Sequence, residues 1–162
     1  MEILLVNEYL NELKNEWHIY PEVWGKSIIS GKTKRIDAVI ISKANPNIKF
    51  GIEFKRLDLS SFTNFTSWFK QALTYTQCEW GTIGRIPILI APKIDYRGNK
   101  EINFMMSRLL GEFGMGEISK EFYQFYNKNV YKILLKDTTI WSSESGFNKN
   151  AIKMDFQKYL DL

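Results

Sequence analysis

The sequence predicts an α/β domain, on three observations. Apolar residues at helical spacing alternate with strand-length runs of β-branched residues between positions 3 and 91. One of those runs, Arg85–Ala91 (RIPILIA), is a continuous apolar stretch of the kind a strand buried on both faces shows. No repeat, low-complexity tract or Pro/Ser-rich linker divides the chain, and 162 residues suit a single domain, 1–162, with one core.

Ile3, Val6, Leu10, Leu13 and Trp17 share one stripe with Glu8, Glu12, Lys14 and Glu16 off it, which predicts an opening amphipathic helix from Ile3 to Trp17. Ile19–Ile29 is β-rich though poorly periodic, and the basic, Gly-containing loop Ser30–Lys34 follows it. Arg35–Ser42 and Ile48–Arg56 read as strands, joined as a hairpin by the turn chemistry of Lys43-Ala44-Asn45-Pro46-Asn47. Phe62–Trp80 is long enough for a helix, with Phe65, Trp68, Phe69, Ala72, Leu73 and Tyr75 on a broad apolar face.

After the strand Arg85–Ala91, a second helical stripe of Ile102, Met105, Met106, Leu109 and Phe113 reads as core-facing and ends at the glycine-rich GEFGMG. Tyr131–Leu135 and Thr139–Trp141 look strand-like, and Ile152, Phe156, Tyr159 and Leu160 make a short closing helix. The expected order is helix, three strands, helix, strand, and a helix-rich C-terminal extension.

Composition removes many chemistries. Cys78 is the only cysteine, which excludes an internal disulfide, a Cys-based zinc site and a cysteine-ligated iron–sulfur cluster. His18, the only histidine, leaves too few ligands for HNH or HExxH chemistry, and no GxSxG elbow occurs. Catalysis would fall to carboxylates and lysines. No stretch approaches the roughly 18 apolar residues of a membrane span, and MEILLVNEYL lacks a basic n-region, so a cytoplasmic chain with no membrane partner is expected. The 22 basic and 18 acidic residues leave a net charge of +4, a lean toward a polyanionic partner.

The informative stretch is RIDAVII, residues 35–41, followed by FGIEFKR, residues 50–56. Along a strand Glu53 and Lys55 share one face and Ile52 and Phe54 the other. In a hairpin centred on Asn45 antiparallel partners sum to 90, which sets Asp37 across from Glu53. Carboxylates opposed at roughly 4.5–5.5 Å between Cβ atoms repel unless a cation separates them. Mg²⁺ suits such a site, with both carboxylates and a main-chain carbonyl such as that of Phe54 as ligands. The ion acidifies water and neutralises charge on a phosphodiester, while Lys55 orients that water or stabilises the transition state. Glu53-x-Lys55 alone is also what any solvated sheet surface produces; Asp37 inside an Ile/Val-rich run is harder to explain that way.

These residues resemble the PD-(D/E)xK nuclease superfamily over residues 3 to 91. Asp37 stands at the first acid, with Ile36 where the family name has proline, and Glu53 and Lys55 stand at the (D/E)xK element. Gln71 and Tyr75, four apart on one predicted helix face, resemble the QxxxY motif of the RecB-like and lambda-exonuclease-like branch. The cluster-binding cysteines of the CRISPR-associated RecB-like exonucleases are absent, as is a Walker A motif.

The resemblance implies a restriction-endonuclease-like core of helix, three-stranded antiparallel meander, helix and strand. It also implies a divalent-metal-dependent DNA nuclease that hydrolyses phosphodiesters through a metal-activated water, with Mg²⁺ replaceable by Mn²⁺. Asp37 and Glu53 would bind metal, Lys55 and Gln71 would join them in catalysis, and an acid from the first helix, Glu8 or Glu12, would complete the metal site. Endonuclease and exonuclease action both stay open, and homo-oligomers occur in resembling families.

Lys32, Lys34, Arg35 and Arg56 flank the proposed site and are the expected grips on DNA phosphates, with Tyr75 beside them. On an alternating strand Arg35 shares the face of Asp37 and opposes Lys55. Two other readings compete. One is a non-catalytic nucleic-acid-binding or assembly protein on a degenerate nuclease fold. The other is a partner-binding protein using its five Trp and the Met-rich helix.

Overall fold

The structure, a computed structural model, describes residues 2–55, 61–93, 99–118, 123–126, 132–134, 139–142 and 146–148. Helix α1 (Glu2–Leu13) sets Tyr9 and Leu13 into the core and leaves Glu8 and Glu12 outside. It stops short of Trp17, where a turn with Glu16 N–H donating to the Leu13 carbonyl at 3.2 Å hands the chain to strand β1 (Trp17–Ser27). Trp17 reaches the expected core from a strand, edge-on to Phe50 at 5.9 Å.

Strands β1, β2 (Thr33–Ser42) and β3 (Lys49–Phe54) form an antiparallel meander. The β2–β3 ladder runs from Ile41↔Lys49 through Ala38↔Ile52, the register expected from the turn at Asn45. Helix α2 (Ser61–Thr76) crosses to β4 (Cys78–Glu79), a two-residue edge strand beside β1. The helix ends before the expected Trp80 because Gln77 N–H turns back to the Thr74 carbonyl at 3.1 Å and Gly81 takes a φ of +59°. Strand β5 (Ile88–Ala91) then inserts parallel to β3, buried throughout as its composition predicts.

Helix α3 (Lys100–Glu112) follows, N-capped by Asn99, whose Oδ1 accepts from the amides of Glu101 and Ile102 at 3.0 and 3.1 Å. Beyond it the expectation of a helix-rich extension is corrected. Strand β6 (Met115–Ile118) runs parallel to β5, and β7 (Tyr123–Tyr126), β8 (Lys132–Leu134), β9 (Thr139–Ser142) and β10 (Gly146–Asn148) continue as antiparallel neighbours. The result is a mixed α/β architecture on one sheet ordered β10-β9-β8-β7-β6-β5-β3-β2-β1-β4. The two predicted C-terminal strands match β8 and β9, while the closing helix lies outside the described residues. Among the described residues no helix is long and apolar enough to cross a membrane.

The sheet carries a core on each face. On one, α1 packs Tyr9 and Leu13 against Ala38, Ile40, Phe50, Ile52 and Phe54. On the other, Ala72 and Tyr75 of α2 and Leu110 of α3 meet Ile36, Val39, Ile88, Ile90 and Met115. The stripe expected to bury α3 is a second correction. Leu110 and Ser107 face inward and Met106 meets Trp68, whereas Ile102, Met105, Leu109 and Phe113 are exposed, Met105 by 61%. Helical spacing marks a stripe, but the covered side is the one turned toward β6.

Candidate functional site

Two strands and one helix bring the predicted residues together at the C-terminal end of β3. The β2–β3 ladder closes at Ala38↔Ile52, so the next residues on each strand, Asp37 and Glu53, stand at the ladder's end. There Asp37 Oδ2 accepts the Phe54 N–H at 2.8 Å. A side-chain carboxylate thus satisfies the main-chain donor that the ending ladder leaves over, which fixes where Asp37 points.

Glu53 is only 5% exposed. Its Oε1 accepts from Lys55 Nζ at 2.7 Å and from Gln71 Nε2 at 2.7 Å. Gln71 in turn accepts from Lys55 through Oε1 at 2.6 Å and donates through Nε2 to the Tyr75 hydroxyl at 2.8 Å. The i, i+4 spacing on α2 places Gln71 over the strand and Tyr75 behind it, against the Trp80 ring at 5.6 Å.

Electrostatics follow from that burial. Loss of water pushes the Glu53 carboxyl up to about 7 from an ordinary 4.5, and the negative charge of Asp37 pushes the same way. The hydrogen bond and charge of Lys55, and to a lesser degree the main chain of Asp37, pull it back. Burial likewise raises the Tyr75 hydroxyl, with the Gln71 bond opposing it. Glu53 Oε2 is buried with no hydrogen-bond partner of good geometry. Two carboxylates, one of them with a bare buried oxygen, make a donor set suited to a hard cation.

The remaining expected residues stand apart. Glu8 is exposed on α1, whose core face lies across the sheet from Gln71, and Glu8 and Glu12 act on Tyr9 instead, adding to the burial that pushes its hydroxyl up to about 12. Among the described residues no three of His, Cys, Asp and Glu gather into a metal-holding group. Lys32 is exposed in the β1–β2 turn, and Lys34 lies near enough to Cys78 to offset part of the burial that raises its thiol. Arg56 falls outside the described residues.

Arg35 is a correction: it turns to Glu22 Oε1 at 3.1 Å and lies 5.9 Å from the centre of the Trp24 ring, its partner on β1. Strand alternation breaks beside Asp37. Ile36 joins the α2-side core and Ala38 the α1-side core, and on β1 Val23 and Ile19 divide the same way. Arg35 is therefore carried to the face away from Lys55.

The residue the sequence reading missed is Glu22, which lies between Pro21↔Ala38 and Val23↔Ile36 and has a φ of +50°. A non-glycine residue in the left-handed region marks where both strands switch faces. Its one sequence signal is Pro21, since proline inside a strand accompanies an edge or a bulge. Comparison of the chain with family models, with curated proteins and with solved structures finds no match.

Proposed function

We propose that the protein is a divalent-metal-dependent deoxyribonuclease on a restriction-endonuclease-like core, of the PD-(D/E)xK kind. The observation that carries this reading is the bare, buried Glu53 Oε2 beside Asp37, with Glu53 Oε1 held by Lys55 and Gln71. A merely structural Glu–Lys pair on a sheet does not need a second carboxylate next to it, and solvent would satisfy both oxygens. The element order supports the same reading: α1, the β1–β2–β3 meander, α2, then β5 parallel to β3.

Asp37 and Glu53 would hold Mg²⁺ or Mn²⁺, which when bound supplies charge that neutralises the scissile phosphate and acidifies water. The chain's own groups do the rest. Phe54 N–H aims the Asp37 carboxylate, and Gln71 and Glu53 hold the Lys55 ammonium, whose protons meet the charge that develops on the phosphate oxygens. Burial keeps water from screening that interaction.

The test is cleavage of linear duplex, single-stranded and covalently closed circular DNA with Mg²⁺, Mn²⁺ or EDTA. Wild type is expected to cut only with metal, and Asp37→Asn, Glu53→Gln and Lys55→Ala to remain folded and cut nothing. Cleavage retained in all three variants overturns the proposal. Metal-independent DNA binding without cutting on any substrate assigns the chain to the non-catalytic alternative.

A further inference from the structure

The β1–β2 hairpin runs past the end of β3, staying paired out to Lys26↔Thr33. Its tip is held firmly. Ser27 N–H donates to the Lys32 carbonyl at 3.0 Å, Gly31 N–H to the Ser27 carbonyl at 2.8 Å, and Ser30 N–H to Ser27 Oγ at 3.2 Å. Ile28 N–H donates to the Gln77 carbonyl at 3.0 Å, which ties the tip to the end of α2. On this fixed turn Ile28 and Ile29 are 51% and 79% exposed.

Residues 26–35 contain Lys26, Lys32, Lys34 and Arg35 and no acid, a charge equal to the whole chain's +4. The acids that face these cations are Glu79, opposite Lys26 in register, and Glu22, paired with Arg35. Trp24, 62% exposed beside Arg35, lies with it on the face away from Lys55.

We propose that this tip is a nucleic-acid wedge: Ile28 and Ile29 enter between neighbouring base steps while Lys26 and Lys32 take the adjoining phosphates. Apolar side chains that unstack a step, flanked by cations on the backbone, are an established way of gripping and bending a duplex. A rigid turn lets the isoleucines insert with little left to order on binding.

The inference rests on the nuclease reading and adds a distance to it. Five residues of strand separate Lys32 from Asp37, which at about 3.3 Å each is roughly 17 Å, or about five base steps. The distorted step is therefore expected about five steps from the phosphate that lies at Asp37 and Glu53. Isoleucines among lysines also suit an anionic lipid surface; that the strand leaving the tip, β2, carries Asp37 of the carboxylate site favours nucleic acid.

The test uses the full chain in EDTA with short DNA duplexes carrying 2-aminopurine at successive positions. Binding is expected to raise 2-aminopurine fluorescence at one step. The double variant Ile28→Ser/Ile29→Ser should abolish that rise and weaken binding roughly tenfold, while Lys32→Glu lowers the slope of log affinity against log salt by about one. Circular dichroism and melting temperature establish that both variants are folded.

An unchanged fluorescence rise in the double variant overturns the wedge, as does failure to bind any duplex. So does loss of binding to phosphatidylglycerol–phosphatidylcholine vesicles in the double variant while its duplex binding stands. Cutting with Mg²⁺, followed in parallel, separates the two readings. Cutting without the fluorescence rise removes the wedge alone, and the rise without cutting removes the nuclease reading and leaves the wedge.

Discussion

Gln71 holds both ends of one ion pair, its Nε2 donating to Glu53 Oε1 at 2.7 Å and its Oε1 accepting from Lys55 Nζ at 2.6 Å. An amide can do both in only one of its two orientations. The carboxylate, which only accepts, and the ammonium, which only donates, select that one, and the Tyr75 hydroxyl accepts from the same Nε2 at 2.8 Å. A helix side chain thereby sets the position of a lysine on the neighbouring strand's end.

Gln71→Ala leaves Lys55 with Glu53 alone and frees its ammonium to turn. Cleavage is expected to fall about 10- to 100-fold in kcat with little change in KM, the usual size of an orienting effect. Gln71→Glu keeps an acceptor for Lys55 but adds a negative charge beside Glu53, so it should restore only part of the rate. Single-turnover kinetics on one duplex decide this, and an unchanged rate in Gln71→Ala removes the positioning role.

Glu53 makes stability depend on pH in a predictable direction. Its carboxyl is at about 7 when folded against 4.5 as a free side chain. Between those values the folded state keeps a proton that the unfolded chain has lost, so stability falls as pH rises through the window. Below 4.5 both states are protonated and no penalty exists; above 7 the penalty is complete, on the order of 3 kcal/mol. Glu53→Gln mimics the protonated form at every pH. In EDTA it should match wild type near pH 4 and exceed it by up to about that amount near pH 8. A difference that does not grow with pH, measured by urea denaturation, counts against a buried, ionisable Glu53.

The same proton competes with metal. Mg²⁺ binding to Asp37 and Glu53 requires the ionised carboxylate, so the gain in melting temperature on adding Mg²⁺ should be larger at about pH 8 than at about pH 6. Saturation at about a hundred times Kd corresponds to roughly 2.7 kcal/mol. EDTA should reverse the gain and Asp37→Asn should abolish most of it. Equal gains in wild type and Asp37→Asn would place the ion elsewhere.

That Asp37, Glu53 and Lys55 come together is legible in the sequence because it depends on short-range periodicity, two residues on a strand and a hairpin register set by Asn45, whereas Gln71 and Tyr75 are singled out by resemblance to a motif and their spacing of four only sets them on one helix face. The face of Arg35 is not legible, because it depends on the break between Ile36 and Ala38, and that break arises where β1 and β2 switch cores together at Glu22 and Asp37. Strands β6 and β10 each carry a glycine, a residue depleted in strands, whereas the equally short β8 and β9 show as runs of β-branched and apolar residues. Met105 and Leu109 mark the related failure on α3, where the pattern identifies a stripe and tertiary packing decides which side is covered.

Gly25 links stability to the site by contact. A Cβ there would lie 2.5 Å from the Trp80 ring and 2.7 Å from the Glu79 carbonyl oxygen. The oxygen belongs to the main chain of β4, so it cannot give way as a flexible side chain would. Trp80 in turn packs edge-on against Tyr75, whose hydroxyl holds Gln71. Gly25→Ala should therefore destabilise the fold by about 1–3 kcal/mol through overpacking. By displacing Trp80 and Tyr75 it should also lower the cleavage rate of the protein that remains folded. Gly114→Ala, strained by its φ of +68° but with nothing within 4 Å of the added carbon, should destabilise without the second effect. Chemical denaturation and active-fraction-corrected kinetics on both variants separate the two, and equal kinetic losses would break the proposed contact path from Gly25 to Gln71.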